Sequence, residues 1–289
     1  MNSHKKIILG AHLRFRDSFT QILADADSLN FPVFQFFLAT AIKKKSVYIQ
    51  PTIEEKAFLR RIVTKNNILA IAHASYWINA ASWRDEAYLI SKSLIKKEIN
   101  LATELEIPYL VLHPGTANGL DPALPTTQVR QLGIERLAAF LNEVLAEQSI
   151  TILLENTAHG RNAIGSDLKD FHRIKALLNR PDQVHFCLDT AHAFAYGYDL
   201  TNFSQFLETL NQEVGHENLR LIHLNDVEGA CGNKQDRHTL PGEGQLGLAL
   251  IKKIAFFDAF SHIPKIMELP SSSVEIIRQV TDQVISNNE

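Results

Sequence analysis

Residues 184–200 read VHFCLDTAHAFAYGYDL. The run 184–189 is short, mostly apolar and bounded, the composition of a strand buried on both faces, and it closes on a carboxylate, Asp189. If the chain turns into a helix there, His192, three residues on, shares a face with Asp189. Seven more runs have the same character, at 7–10, 31–38, 68–73, 109–113, 150–155, 219–224 and 265–269, and longer segments with helical spacing lie between them. In 86–105, Leu89, Ile90, Leu94, Ile95, Ile99 and Leu101 make one broad apolar stripe, and similar stripes recur at 129–145 and 246–259. This alternation is the pattern of repeated βαβ units on a parallel sheet. Eight units in 289 residues leave about 36 residues each, enough for a strand, a crossover helix and two loops. The expected fold is α/β, a single (β/α)8 TIM-barrel domain over residues 1–289.

Composition narrows the function. Hydrophobic residues make up 45% and charged residues 21%, near the globular average, which argues against disorder, collagen-like sequence and coiled coil. Lys and Arg total 29 against 32 Asp and Glu, so there is no global basic field of the kind that marks many nucleic-acid binders. The two cysteines, Cys187 and Cys231, are too few for a disulfide framework and read as a packed strand residue and a loop thiol. The opening MNSHKKIILG lacks the apolar core of a signal peptide, and no apolar stretch of about 18 residues is available to span a bilayer. The expectation is a cytoplasmic protein with no membrane partner. One long irregular stretch, 225–245, stands out, because loops of that length in a compact domain are usually functional.

Six of the runs end in, or are followed at once by, a residue able to ligate a metal: His73, His113, Glu155, Asp189, His223 and Glu268. In a (β/α)8 barrel the C-terminal ends of the strands ring one mouth, where active sites lie. One such residue is ordinarily a satisfied buried polar group. Six facing one another, three of them carboxylates, need cations to neutralise them. His192, and Asp236 and His238 at i and i+2 in the long loop, bring the set to nine. Imidazoles and carboxylates without thiolate suit zinc or manganese, and four carboxylates carry more charge than one dication neutralises. GEGQLG at 242–247 fits G-x-G-x-x-G but follows a polar loop instead of a strand, so no dinucleotide site is expected.

HASYWIN (73–79), LHPGT (112–116), LLENTAHG (153–160), CLDTAHAFAYGYDL (187–200), IHLND (222–226), DRHTLPGEGQLG (236–247) and KIMELP (265–270), in this order, resemble the endonuclease IV family of abasic-site endonucleases, within the xylose isomerase-like TIM barrels. The resemblance implies a monomeric, zinc-dependent enzyme of base excision repair. Such an enzyme cuts duplex DNA 5′ to an abasic site and leaves a 3′-hydroxyl and a 5′-deoxyribose phosphate. It implies three Zn2+, with Mn2+ the other candidate: one on His73, His113 and Glu155, a second on Glu155, Asp189, His223 and Glu268, a third on His192, Asp236 and His238. Glu155, Asp189 and Glu268 are the carboxylates on which catalysis would depend. Tyr76 aligns with a family aromatic that helps distort DNA at the lesion. The first 60 residues depart from the pattern: AHLRFRDSF (11–19) stands where members have a Ser and paired glycines, and LATAIKKKSVY (38–48) where they have a basic loop with Asn and Trp. Lys43, Lys44, Lys45 and Arg237 are the candidate DNA contacts.

Two other readings use the same residues. A sugar isomerase or epimerase would need only Glu155, Asp189, His223 and Glu268 around a single divalent metal, with no use for the five remaining ligands. A non-catalytic lesion-binding protein would have no physical need for four carboxylates in one mouth.

Overall fold

The computed structural model describes residues 7–15, 18–42, 45–270 and 273–286. Along the chain, β1 (Leu9–His12) leads through α1 (Phe19–Leu29) to β2 (Val33–Phe37), and a hairpin of β3 (Ala39–Ile42) and β4 (Lys45–Tyr48) precedes α2 (Ile53–Asn66). Next come β5 (Leu69–His73) and α3 (Asp85–Glu104), β6 (Tyr109–Leu112) and α4 (Thr126–Val144), and β7 (Thr151–Glu155) and α5 (Lys169–Ala176). β8 (Val184–Asp189) runs into α6 (Thr190–Tyr196) and α7 (Phe203–Glu213). After β9 (Leu219–His223) a ribbon of β10 (Asp226–Val227) and β11 (His238–Thr239) precedes α8 (Gly247–Ala255), β12 (Lys265–Met267) and α9 (Val274–Ile285). Strands β1, β2, β5, β6, β7, β8, β9 and β12 close into a parallel barrel, β12 returning to β1. No helix among the described residues is long and apolar enough to cross a membrane.

The eight expected runs fall on the eight barrel strands, with one shift. The first was expected at 7–10, but the strand is Leu9–His12, with Ala11 opposite Phe34 and His12 opposite Gln35. Gly10 does not end it. A Cβ there would stand 1.7 Å from the Val33 carbonyl oxygen, so the glycine marks a close approach of neighbouring backbone.

Strand periodicity decides what the mouth contains. Val33, Ile71, Val111, Leu153, Cys187, Leu221 and Ile266 pack as one buried cluster, separate from the larger core that joins the other strand faces to the helices. Seven of the eight barrel strands contribute one residue each, β1 having Gly10 in register with Ile266, and such a layer fills a barrel interior. Side chains repeat every second residue, so the next inward positions are Gln35, His73, His113, Glu155, Asp189, His223 and Glu268. A dry apolar layer thus floors a polar one.

Lys265 alternates with Ile266 and is fully buried toward the helical layer, where its Nζ donates to the Phe260 carbonyl. Burial pushes its ammonium down to about 8. The folded state therefore releases this proton before the unfolded chain does, and stability rises as pH climbs from about 8 to about 10.5. Lys265→Met should raise stability at pH 7 by about 2 kcal/mol and remove that alkaline rise. Thermal unfolding of both proteins at pH 7 and 10 checks it; a variant that melts lower at pH 7 rejects it.

Candidate metal centre

Glu155 is the hub of the polar layer. Its Oε2 lies 3.2 Å from His73 Nε2 and 3.0 Å from His113 Nε2, and its Oε1 lies 3.2 Å from His223 Nδ1. His223 Nδ1 also faces Glu268 Oε2 at 3.5 Å and Asp189 Oδ2 at 3.8 Å. Farther round, His192 Nε2 is 3.1 Å from Asp236 Oδ2, while His238 Nε2 is 3.1 Å from Asp236 Oδ1 and 3.6 Å from Asp189 Oδ2. Two donors about 2.0–2.1 Å from one tetrahedral zinc stand roughly 3.3 Å apart, so these are the separations of atoms that share an ion.

Three sets have donor atoms within 4.8 Å of one another: His73, His113 and Glu155; Glu155, Asp189, His223 and Glu268; and Asp189, His192 and His238. The first two coincide with the sets expected from sequence. The third includes Asp189, expected in the second alone, and Asp236 lies against both of its imidazoles.

The residues fit divalent cations on a separate observation. Glu155 Oε1, His192 Nε2, His223 Nδ1 and His238 Nε2 are buried and make no hydrogen bond among the described residues, an expensive state for polar atoms. The outer ring nitrogens are tied down. His73 Nδ1 donates to the Ala74 carbonyl at 2.8 Å, His192 Nδ1 to the Asn156 carbonyl at 2.8 Å, and His223 Nε2 to Gln35 Oε1 at 3.0 Å. Each ring so held presents its other lone pair to the centre, the usual outer arrangement of a metal-binding histidine.

Three amides that the sequence reading did not single out hold the donors in place. Gln35 also donates through Nε2 to Glu268 Oε1 at 3.0 Å and to His12 Nδ1 at 2.9 Å. Asn225 donates to Asp189 Oδ2 at 2.6 Å and accepts the Glu268 backbone N–H at 2.8 Å. Asn156 brackets the Asp189 backbone, accepting its N–H at 2.7 Å and donating to its carbonyl at 3.0 Å. Asp189 caps α6, its Oδ1 accepting the His192 N–H at 2.7 Å, so one side chain begins the helix and aims at the centre. A signal for Gln35 was present: it is the lone polar residue in VFQFF, at the inward register. His12 ends β1, but burial pushes its imidazole down to about 3 and its Nδ1 is engaged by Gln35, so it stays neutral and outside the three sets.

The loop bearing Asp236 and His238 is built on Asp226. Its carboxylate accepts backbone N–H groups from Gly242, Gly244, Leu246 and Gly247 at 2.9, 3.1, 2.9 and 3.2 Å. A Cβ on Gly244 would stand 2.4 Å from Asp226 Oδ1. GEGQLG thus makes an anion cradle that is filled by a carboxylate of the chain itself. The β10–β11 pairing, Val227 opposite His238, passes that anchoring on to the imidazole. Asp226→Asn turns an N–H donor toward the same amides and leaves some unsatisfied. The expected result is selective: affinity at the Asp189–His192–His238 set falls about 10- to 100-fold while the other two sets keep their ions. Elemental analysis after dialysis at limiting zinc checks this, and unchanged metal content rejects it.

Electrostatics point the same way. Burial opposes charge on His192, yet Asp189, Asp236 and Glu155 hold its imidazole well above the usual value. Burial likewise opposes charge on His223 and His238; Cys187, Glu268 and Glu155 raise the first well above the usual range, and Asp189 and Asp236 raise the second. Glu268 sits at about 2, burial being outweighed by His223 and its neighbours. Without cations, this cluster approaches neutrality only by drawing protons onto its imidazoles.

Above the centre opens a cavity of about 540 Å³, lined by six of the donors (His73, His113, His192, Asp236, His238 and Glu268) and by Arg14, Phe15, Phe37, Tyr76 and Trp77 among others. Tyr76 is 76% exposed, its ring 5.0 Å from Phe37 and 6.3 Å from His73. Arg237 is exposed but does not line the cavity. Lys43 and Lys44 lie outside the described residues, and Lys45 opens β4 opposite Ile42. The 38–48 stretch, which stands where members of the family have a basic loop, is largely the β3–β4 hairpin.

A family model described as xylose isomerase-like TIM barrel matches residues 23–285. A curated relative, probable endonuclease 4 of Methanosphaerula palustris, is 32% identical over 271 residues, covering 92% of this chain and 93% of its own. Among solved structures, endonuclease IV from Thermus thermophilus superposes with a TM-score of 0.78 at 23% identity, over 95% of this chain and 99% of that one. A D-tagatose 3-epimerase-like protein superposes with a TM-score of 0.69 at 16% identity, over 96% and 97%, a likeness of fold alone. The chain belongs to the xylose isomerase-like TIM barrel family and, within it, to the endonuclease IV family.

Proposed function

We propose that this enzyme is a zinc-dependent endonuclease of DNA repair that hydrolyses the phosphodiester 5′ to an abasic site in duplex DNA. The observation that carries the reading is the sharing of Glu155 and Asp189 among three adjacent donor sets. A single-metal isomerase uses one quartet and leaves His73, His113, His192 and His238 without a role. The expected ions are three Zn2+ on the sets described above, with Asp236 completing the third. Bound there, they would supply Lewis acidity toward the phosphate, charge neutralisation and an acidified water.

The protein's own groups do the rest. Gln35, Asn156 and the Ala74 carbonyl fix which nitrogen of His223, His192 and His73 faces inward, so no reorganisation is needed when substrate arrives. Asn225 and Gln35 hold Glu268 from both sides. Tyr76, exposed with its ring 6.3 Å from that of His73, would press on a backbone from which a base is missing, where the stack offers least resistance.

The test is incision of a labelled duplex carrying one tetrahydrofuran abasic analogue, beside an undamaged duplex and a metal-stripped control. Metal-dependent cutting immediately 5′ of the lesion, with about three ions per chain, is the expected result. About one ion with no cutting would turn the reading to the isomerase.

A further inference from the structure

Among the described residues that line the cavity, Arg14 is the one permanent cation. It follows the inward His12 by two residues at the end of β1 and is exposed at the rim. Its Nη2 donates to the Leu269 carbonyl at 2.9 Å, the residue after Glu268, which pins the guanidinium beside the centre. Only one of its five N–H donors is used there, and among the described residues it makes no ion pair. The cavity it lines also carries Phe15, Phe37, Tyr76, Trp77 and Pro270. A guanidinium at the mouth of a concave site adds to the field that draws an anion in. Glu268, the carboxylate next to Leu269, already faces His223, Gln35 and Asn225.

We propose that Arg14 grips a phosphate of the strand being cut, next to the scissile one, on the β1–β12 side of the mouth. This rests on the endonuclease reading above. The guanidinium fork matches two phosphate oxygens, and the Leu269 carbonyl holds it in position before substrate binds. In this chain AHLRFRDSF replaces the Ser and paired glycines of the family pattern, so the grip is a feature of its own first loop.

The test compares the metal-loaded parent, Arg14→Ala and Arg14→Lys. Binding is read by fluorescence anisotropy on an abasic duplex whose scissile linkage is a non-cleavable phosphonate, over about 50–200 mM salt. Arg14→Ala should bind about tenfold more weakly, and its slope of log affinity against log salt should be shallower by about one. Arg14→Lys should restore the slope and only part of the affinity. On a cleavable duplex KM should rise with kcat nearly unchanged, the mark of binding lost equally from ground and transition states. If Arg14 merely braces the Leu269 carbonyl, Arg14→Ala will lower metal content or melting temperature and leave the slope alone, which overturns the proposal. An incising parent whose Arg14→Ala variant binds with the same affinity and slope also overturns it while the endonuclease reading stands; a parent that does not incise overturns both.

Discussion

Glu155→Gln is expected to retain about one metal ion per chain in place of about three and to incise at least about 10³-fold more slowly, a loss of roughly 4 kcal/mol in transition-state stabilisation. The size follows from sharing. One oxygen of Glu155 faces His73 and His113 and the other faces His223, so a single substitution removes a donor from two sets at once. The amide offers one oxygen where two are used, and its NH2 turns hydrogens toward a set of imidazole lone pairs. The set formed by Asp189, His192 and His238 does not use Glu155 and should keep its ion. A folding defect is distinguishable from this. In metal-stripped protein the substitution removes a carboxylate that faces protonated imidazoles, so the stripped variant should melt lower than the stripped parent, while the ion kept on Asp189, His192 and His238 marks a mouth that is still folded. Retention of about three ions, or a rate within tenfold of the parent, would remove Glu155 from the hub.

Removing the metals should steepen the loss of stability with rising pH. In the stripped protein the imidazoles of His192, His223 and His238 have raised values, so their contribution is full below about 6.5 and is lost as pH rises through the folded values. Glu155 and Glu268 are depressed, so theirs is present above about 4 and is lost as pH falls toward 2. The stripped protein should therefore lose more melting temperature from about 6.5 to 8 than the loaded protein does, Glu98, pushed up to about 8 by burial, adding the same fall to both. Above about 8, Lys265 acts in the opposite direction, so the lower window is the informative one. In the loaded protein the cations take the place of those protons, and zinc affinity should climb with pH. Calorimetric zinc titration in buffers of different ionisation enthalpy should register proton release near pH 7, as many as three from His192, His223 and His238. A stripped protein whose melting temperature falls no further than the loaded protein's in the lower window, binding zinc without proton release, would show that these imidazoles are not charged in the empty cluster.

The barrel and the composition of its mouth were legible because both depend on local regularities. Eight apolar runs spaced for βαβ units specify a closed parallel sheet, and the two-residue period of a strand sends His73, His113, Glu155, Asp189, His223 and Glu268 inward above an apolar layer. His192 was legible for a similar reason, since a helix starting at Thr190 places it on the side of Asp189. The edges of that reading failed where a residue's meaning depends on what lies opposite. Gly10 looks like the end of a strand until Val33 is set against it, and the lysine-rich 38–48 stretch looks like a loop until its two arms pair.

What the sequence determined by itself is therefore a (β/α)8 barrel of the endonuclease IV pattern with metal-capable side chains around its mouth, because periodicity and strand-end position act within a few residues of the side chain they aim. The resemblance already put Glu155 in two sets; the tertiary structure alone decided the rest of how the donors are shared and held: Asp189 in a second set, Gln35 on His223 across 188 positions of chain and on Glu268 across 233, Asp226 inside the glycine loop, and Arg14 at the rim. Those are contacts between residues far apart in the chain, fixed by how the barrel closes, and no local pattern in the sequence encodes them.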